Sequence, residues 1–358
     1  MTPLSLLRPG RTLAVGAAFL MIASFAAACG GGEDGEGSDG SVDVVRVGTL
    51  NSNSDAPFFI ADAKGYFAEQ GIEVEFVPFK SSTEMIAPLG QGQIDVGGGG
   101  LAAALFNAVG RGVNLKIVAD KGTNRTGYSY PIVVRSDLLD SGEVQAIGDL
   151  KGRTFAVSAP GTVLDYLLAK GLAGSGISFD DVEVNGPLGF PDQVNAFANK
   201  AIDASILIEP FATEAEKQGV ARRLAFSEEW ANNETLAVTL YGGPFMEERR
   251  DVAVRFMVAY IQGIRFYLDA LEDGKLAGPN AAEVIDILTE YTPVKDPQLY
   301  QEITPTANDP DGRVNVEAVN EMLEFWGQQG LLEGPEVTAE QAVDMSFIDE
   351  ALERMPQG

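Results

Sequence analysis

Apolar positions along this chain come first as short runs and later as helical stripes. Val44 to Leu50 is a brief valine-rich run suited to a buried parallel strand. From Ala56 to Gln70, Phe58, Phe59, Ala61, Ala63, Tyr66 and Phe67 recur broadly at helical spacing, and Gly71 stands where a helix terminator belongs. Ile72 to Phe79 alternates with period two, the mark of a strand with one buried face. Ser81 to Glu84 carries the S/T-x-x-E capping pattern for a following helix. Ile94 to Val96 predicts a short strand that runs into four glycines. An Ala-rich helix over Leu101 to Val109 and a strand over Leu115 to Ala119 follow.

The same grammar returns in the next stretch. Strands are predicted at Thr154–Val157, Val182–Val184 and Ala204–Ile208, with helices at Val163–Leu172 and Phe190–Ala198 between them. Gln93-Ile94-Asp95-Val96 is echoed by Ala201-Ile202-Asp203-Ala204, and Gly71-Ile72 by Gly176-Ile177. From Arg250 onward the stripes are helical: Val252–Leu271, Ala282–Tyr291, Val316–Gly330 and Phe347–Met355, with the proline-bearing stretch Thr292–Pro310 between two of them. Alternating β and α units indicate an α/β protein of largely parallel sheets, whose ligands sit at strand carboxyl ends. Two such lobes place a binding site in the cleft between them.

The amino-terminal segment is set apart. Arg8 and Arg11 precede the uncharged stretch Leu13–Ala28, which reads as a secretory signal. Ala26-Ala27-Ala28-Cys29-Gly30 resembles a bacterial lipobox, with Ala26 where leucine is usual, and implies lipidation of Cys29. Gly30 to Ser41 holds only glycine, acids and serine, the composition of a soft tether. The expected organisation is residues 1–28 signal peptide, 29–43 lipidated cysteine and tether, and 44–130 the first part of lobe 1. Lobe 2 follows over 131–225, and 226–358 returns to lobe 1 and ends in helices.

Composition narrows the chemistry. The 358 residues include no histidine and one cysteine. Imidazole bases, Ser-His-Asp triads, Cys-His pairs, disulfides within the chain and His or Cys zinc sites are therefore closed. No metal, cofactor or catalytic residue is expected. The net charge of −27 argues against nucleic acid and against docking on anionic lipid through charge. It leaves room for an anion in a local pocket, because exposed charges are screened beyond roughly 8–10 Å.

Several motifs together resemble one family. They are Ala56-Pro57-Phe58-Phe59-Ile60-Ala61, Lys64-Gly65-Tyr66-Phe67, Glu69 to Val74, Gly92 to Gly97, Leu150-Lys151-Gly152 with Ser158 to Thr162, and Ala201 to Ala204 running into Glu209-Pro210-Phe211. In order and spacing they resemble the nitrate/sulfonate/taurine-type solute-binding proteins of ABC importers, a family that also includes binders of thiamine-pyrimidine precursors. The resemblance covers residues 44 to 270. It implies a two-lobed periplasmic-binding-protein type II fold: two mixed, mainly parallel sheets, hinge strands between them, and a helical tail. It also implies hinged closure on a solute and no chemistry performed on it. The implied partners are a small-molecule solute, permease and ATPase subunits, and the membrane through the anchor. The protein would be an exported monomer on the outer face of the cytoplasmic membrane.

Four loops at strand ends supply candidate ligand contacts. Asn51, Ser52 and Asp55 offer hydrogen-bonding groups with Pro57 and Phe58 behind them, alongside Asn53 and Ser54. Gly98, Gly99 and Gly100 precede a helix and can offer bare amides to an anion. Ser158, Gly161 and Thr162 form a strand-to-helix turn, and Glu209 ends a strand. Tyr128, Phe190 and Tyr241, with Tyr130 and Trp230, could stack on a flat ligand. Lys121 and Arg125 are the nearest cations. A heteroaromatic or aromatic-acid ligand, pyrimidine-like ones included, would use the aromatics with Glu209 or Asp55; a sulfonate, nitrate or carboxylate would use helix-end amides. A sensor docking on a signalling receptor is the alternative. An enzyme like the fungal thiamine-pyrimidine synthase fails, because the histidine and cysteine cluster its resemblance requires are missing. For the anchor, labelled palmitate should enter the wild-type chain and be absent from Cys29→Ser; equal labelling of the two would remove it.

Overall fold

The computed structural model describes residues 42–356, so the expected signal, Cys29 and most of the tether lie outside the described residues. Ten strands form two five-stranded sheets. The first comprises β1 (Asp43–Thr49), β2 (Ile72–Pro78), β3 (Val96–Gly100), β4 (Leu115–Thr123) and, from far along the chain, β10 (Thr235–Gly242), in the order β2-β1-β3-β10-β4. The second comprises β5 (Pro131–Arg135), β6 (Thr154–Ala156), β7 (Glu183–Asn185), β8 (Ala204–Ile206) and β9 (Ala221–Phe226), in the order β7-β6-β8-β5-β9. In each sheet three strands run parallel, and the fourth and fifth add antiparallel ladders. Each crossover joins the outermost antiparallel ladder of one sheet to the antiparallel strand of the other, β4 to β5 and β9 to β10.

Local sequence explains most elements and the departures from expectation. The helix predicted from Ala56 to Gln70 is two, Ala56–Ala63 and Tyr66–Glu69, because Gly65 takes a left-handed φ of 75° between them. The four glycines after Ile94-Asp95 belong to strand β3, and the helix behind them starts at Ala103. Neither β10 nor β9 was anticipated, and the stretch from Thr292 to Pro310 holds a short helix, Pro297–Glu302.

The helix Arg250–Leu268 is the spine of the first lobe. Phe256 and Tyr260 on it pack on Phe58, with ring centroids 6.1 and 4.7 Å away. The helix Val316–Gln328 touches both lobes. Its buried Trp326 meets Phe106 of the helix Ala103–Gly110, and its Phe325 meets Tyr166 of the helix Val163–Gly174. Glu321 adds an ion pair to Lys170 at 3.1 Å.

Two short crossovers join the sheets, and hydrogen bonds tie them together. The Asn124 amide donates to Ser227 Oγ and to the Ala231 carbonyl, at 2.9 and 3.0 Å. The Glu228 carboxylate accepts from the Gly127 N–H and from Ser129 Oγ. Beyond the crossovers, the chain after Glu302 lies along β4, where Ala307 bridges to Thr123. The fully buried Asp120 holds that strap, accepting from the Asp309 N–H at 3.0 Å and the Asn308 amide at 3.3 Å.

Burial pushes the Asp120 carboxyl up to about 7 against the pull of these donors. Its ordinary value is 3.8. Between those limits the folded chain keeps a proton that the unfolded chain has lost, so stability should fall as pH rises from about 4 to about 7. Denaturant unfolding across that window should show a smaller pH slope in Asp120→Asn than in the wild type. An unchanged slope would exclude Asp120 as its source.

Candidate functional site between the lobes

The loops that follow the parallel strands meet between the two sheets, and direct backbone bonds close the cleft over them. Ala103 N–H donates to the Gly161 carbonyl and Val163 N–H to the Leu101 carbonyl, both at 2.8 Å. Asn53 N–H donates to the Glu209 carbonyl at 3.0 Å. Within is a small chamber of about 30 Å³, room for a group of very few atoms.

Hydroxyls dominate its polar lining. Ser52, Ser54, Ser81 and Ser82 come from the first lobe, Ser158 and Thr162 from the second, and Tyr130 from the end of a crossover. Burial, followed by the negative charge of Asp55, pushes the Tyr130 phenol well above its ordinary value, so its hydroxyl stays protonated. Leu50, Leu164, Phe190 and Ile208 give the chamber apolar walls.

Its one cation is Lys121 on β4. The ammonium lies 2.9 Å from Asp55 Oδ1 and donates to Ser54 Oγ at 2.7 Å, with both Lys121 and Asp55 fully buried. An ammonium carries three N–H groups, so one remains for the chamber that Lys121 lines. Asp55 is held in turn by the Leu50 and Ser52 amides, at 3.1 and 2.9 Å.

The glycine strand makes this arrangement possible. A Cβ at Gly98 would stand 2.6 Å from Lys121 Cε and 2.7 Å from the Phe58 ring; one at Gly99 would stand 2.5 Å from Ser82 Cβ. The glycines leave space for a lysine stem and a serine. Their amides belong to a strand paired with β10, which corrects the expectation of a loop presenting them to an anion.

The opposite wall carries a helix end. Gly161 takes φ 71°, and Thr162 is the N-cap of the twelve-residue helix Val163–Gly174. Thr162 Oγ1 is buried and makes no hydrogen bond with the protein. The positive end of the helix and a free buried hydroxyl thus face the chamber together. Asp165 in the first turn accepts from the Gly161 N–H at 2.6 Å, and burial pushes its carboxyl up to about 7.

The other expected contacts distribute as follows. Ser52, Gly100, Ser158, Thr162 and Phe190 line the chamber, as do Ser54, Lys121 and Tyr130. Asn51 faces the outer cleft. Pro57 and Phe58 are core residues of the helix Ala56–Ala63 and its packing, behind the site. Glu209 is buried away from the chamber, where Arg223 at 2.6 Å and the Thr213 and Thr304 amides occupy its carboxylate. Tyr241 is buried in β10, its hydroxyl on the Ala253 carbonyl. Tyr128 and Arg125 share a separate surface pocket, and Trp230 packs on Gly171 with its N–H on the Leu167 carbonyl. Ser81 and Ser82, whose S/T-x-x-E pattern marks a helix cap, follow closely on β2 and line the chamber as well. Among the described residues no group of three or more Cys, Asp or Glu side chains could hold a metal ion, and no helix is long and apolar enough to cross a membrane.

Comparison with known proteins places this geometry. Residues 52–272 match the family described as NMT1/THI5 like. The chain belongs to the NMT1/THI5-like family. A Brucella abortus relative, provisionally named a binding protein, is 27% identical over 244 residues, covering 68% of this chain and 69% of its own. The alkanesulfonate-binding protein SsuA from Xanthomonas axonopodis pv. citri, solved with MOPS bound, superposes with a TM-score of 0.67 at 22% identity, over 84% of this chain and 97% of its own. The periplasmic nitrate-binding protein NrtA from Synechocystis PCC 6803 gives 0.71 at 16% identity, over 87% and 89%. The desulfurization enzyme DSZB shares the fold at 0.58 and 16% identity, over 87% of this chain and 99% of its own.

Gly98→Ala should destabilise the protein by about 1–3 kcal/mol through overpacking against Lys121 and Phe58. Denaturant melts of Gly98→Ala beside an alanine at the open, exposed Gly174 would check this. Equal stability of the two would show that β3 has no need of bare backbone there.

Proposed function

We propose that this protein is the extracytoplasmic solute-binding component of an ABC importer and that it grips a small organic oxyanion by its head group. The observation that carries this reading is the chamber itself: a buried ammonium on one lobe, a helix end with an unpartnered hydroxyl on the other, and serines between. The names of the sulfonate- and nitrate-binding structural neighbours and of the Brucella relative support the class of function. The pyrimidine-like alternative would use Asp55 or Glu209 as an acceptor; Arg223 and the Thr213 and Thr304 amides occupy Glu209, and Asp55 is charge-paired with Lys121. Catalysis through an imidazole or a pair of thiols has no residues to use, because the sequence holds no histidine and a single cysteine, Cys29.

Binding would favour the closed form because the two lobes contribute different halves of the head-group shell. Ligand held by both lowers the closed state relative to the open one. The crossovers at residues 124–130 and 227–234 would be the hinge. Cys29 would tether the protein beside its permease and ATPase partners.

Thr162→Val tests the site with opposite signs in two measurements. Without ligand, removing a buried hydroxyl that has no partner should leave stability unchanged or slightly raised. Affinity for methanesulfonate, measured by calorimetry, should fall about tenfold with the loss of a hydrogen bond to a charged group. Unchanged affinity in the variant would remove Thr162 from the site, and absence of binding by sulfonate, nitrate and carboxylate alike would remove the oxyanion.

A further inference from the structure

The inner chamber is one of two compartments. Outside it lies a cleft of about 700 Å³, open to solvent, and Leu50 and Phe190 line both. Phe79 and Pro78 of the first lobe form one side of this outer cleft, and Phe190, Pro191 and Phe211 of the second lobe form another. The rings of Phe190 and Phe211 lie nearly parallel, 17° apart in plane with centroids 5.9 Å apart. Val294 and Leu299 add further apolar surface.

Charges on the rim of this cleft are mixed. Lys80 and Lys295 stand against Asp192, Glu214 and Asp296. The Lys295 ammonium is occupied by the Thr289 and Glu290 carbonyls, at 2.9 and 2.8 Å. The outer cleft therefore offers apolar and aromatic contact with no surplus of cation for a second anionic group.

From this geometry we infer that the solute is an organic monoanion with a flat, uncharged apolar body, its head in the inner chamber and its body against Phe190 between Phe79 and Phe211. The inference rests on the reading of the inner chamber as a head-group site and goes further by fixing what the head is attached to. The chamber has room for a few atoms only, so anything larger must continue past Leu50 and Phe190. A bare inorganic oxyanion would leave the apolar walls of the outer cleft facing water. An aryl body would cover them and stack on a ring already held parallel to its neighbour.

Calorimetric titration of the whole protein with nitrate, methanesulfonate, benzenesulfonate and 2-naphthalenesulfonate, and with acetate and benzoate, separates the possibilities. Each aryl anion should bind at least roughly tenfold tighter than its methyl counterpart, with a more negative heat-capacity change. In Phe211→Ala, and independently in Phe79→Ala, the ratio of aryl to methyl affinity should fall severalfold. Should the variants fail to fold, the wild-type ratios decide alone. Methyl anions or nitrate binding as tightly as the aryl anions would overturn this inference and leave the head-group site standing. Binding of none of the six would overturn both.

Discussion

An ammonium with no exposed surface has to be matched by charge and hydrogen bonds on nearly every side. The Lys121–Asp55 pair imposes that demand on this fold. To reach Asp55 the lysine stem must cross β3, so Gly98 cannot carry a side chain. To receive the lysine, Asp55 must be fixed, and the amides of Leu50 and Ser52 fix it from the turn that leads out of β1. Phe58, one turn into the next helix, fills the space beneath Gly98. One ion pair thus joins β1, its turn, β3 and β4 into a rigid floor, and the hydroxyls of the chamber are set upon it.

The two sheets repeat one plan, and that plan explains why the site lies between them. Three parallel strands, β2-β1-β3 in one and β7-β6-β8 in the other, send their carboxyl ends the same way within each sheet. The loops after β1 and β3 carry Ser52, Ser54 and the Leu101–Ala103 segment; those after β6 and β8 carry Ser158, Thr162 and Ile208. The fourth strand of each sheet is tied to a crossover, so the sheets are linked next to their parallel trios. Parallel-strand loops are where α/β folds place ligands, and here two sets of them are brought face to face.

Much of this fold was legible because its strands and helices have visible periods. The helices Phe190–Ala198 and Ala281–Tyr291 lie almost where their apolar spacing put them. β10 was not legible: all eight of its residues are buried and two are threonines, so neither alternation nor a continuous apolar run marks it. Tyr241 within it looked like a loop aromatic for the same reason. For the candidate chamber, the strand-end loops that line it were readable and the partners of their side chains were not. The loops after β1 and β6 supply Ser52, Ser158 and Thr162, yet Asp55 and Glu209, both plausible acceptors on paper, are engaged by partners distant in sequence, Asp55 in an ion pair with Lys121 and Glu209 by Arg223 and the Thr304 amide. Lys121 itself lies on a strand whose side chains are nearly all buried, which hides the alternation that would have pointed it at the cleft. A run of glycines can mean exposed amides or room for a neighbour, and only the neighbour decides which.

The local electrostatics also reconcile an acidic protein with the anionic ligand proposed for it. The net charge of −27 acts from the surface, where solvent and salt screen it over roughly 8–10 Å. Inside the chamber Asp55 already balances Lys121, so the pair contributes little net charge. Attraction for an anion must then come from dipoles held in place: the remaining lysine N–H, the hydroxyls, and the amino end of the helix Val163–Gly174. Oriented dipoles can stabilise one delocalised negative charge. A second charge would face the same desolvation cost with no further cation to offset it, and the first turn of that helix already holds the Asp165 carboxyl. With the proposed oxyanion as ligand, a chamber built this way would discriminate by charge number as well as by size, because the only cation that lines it is already paired.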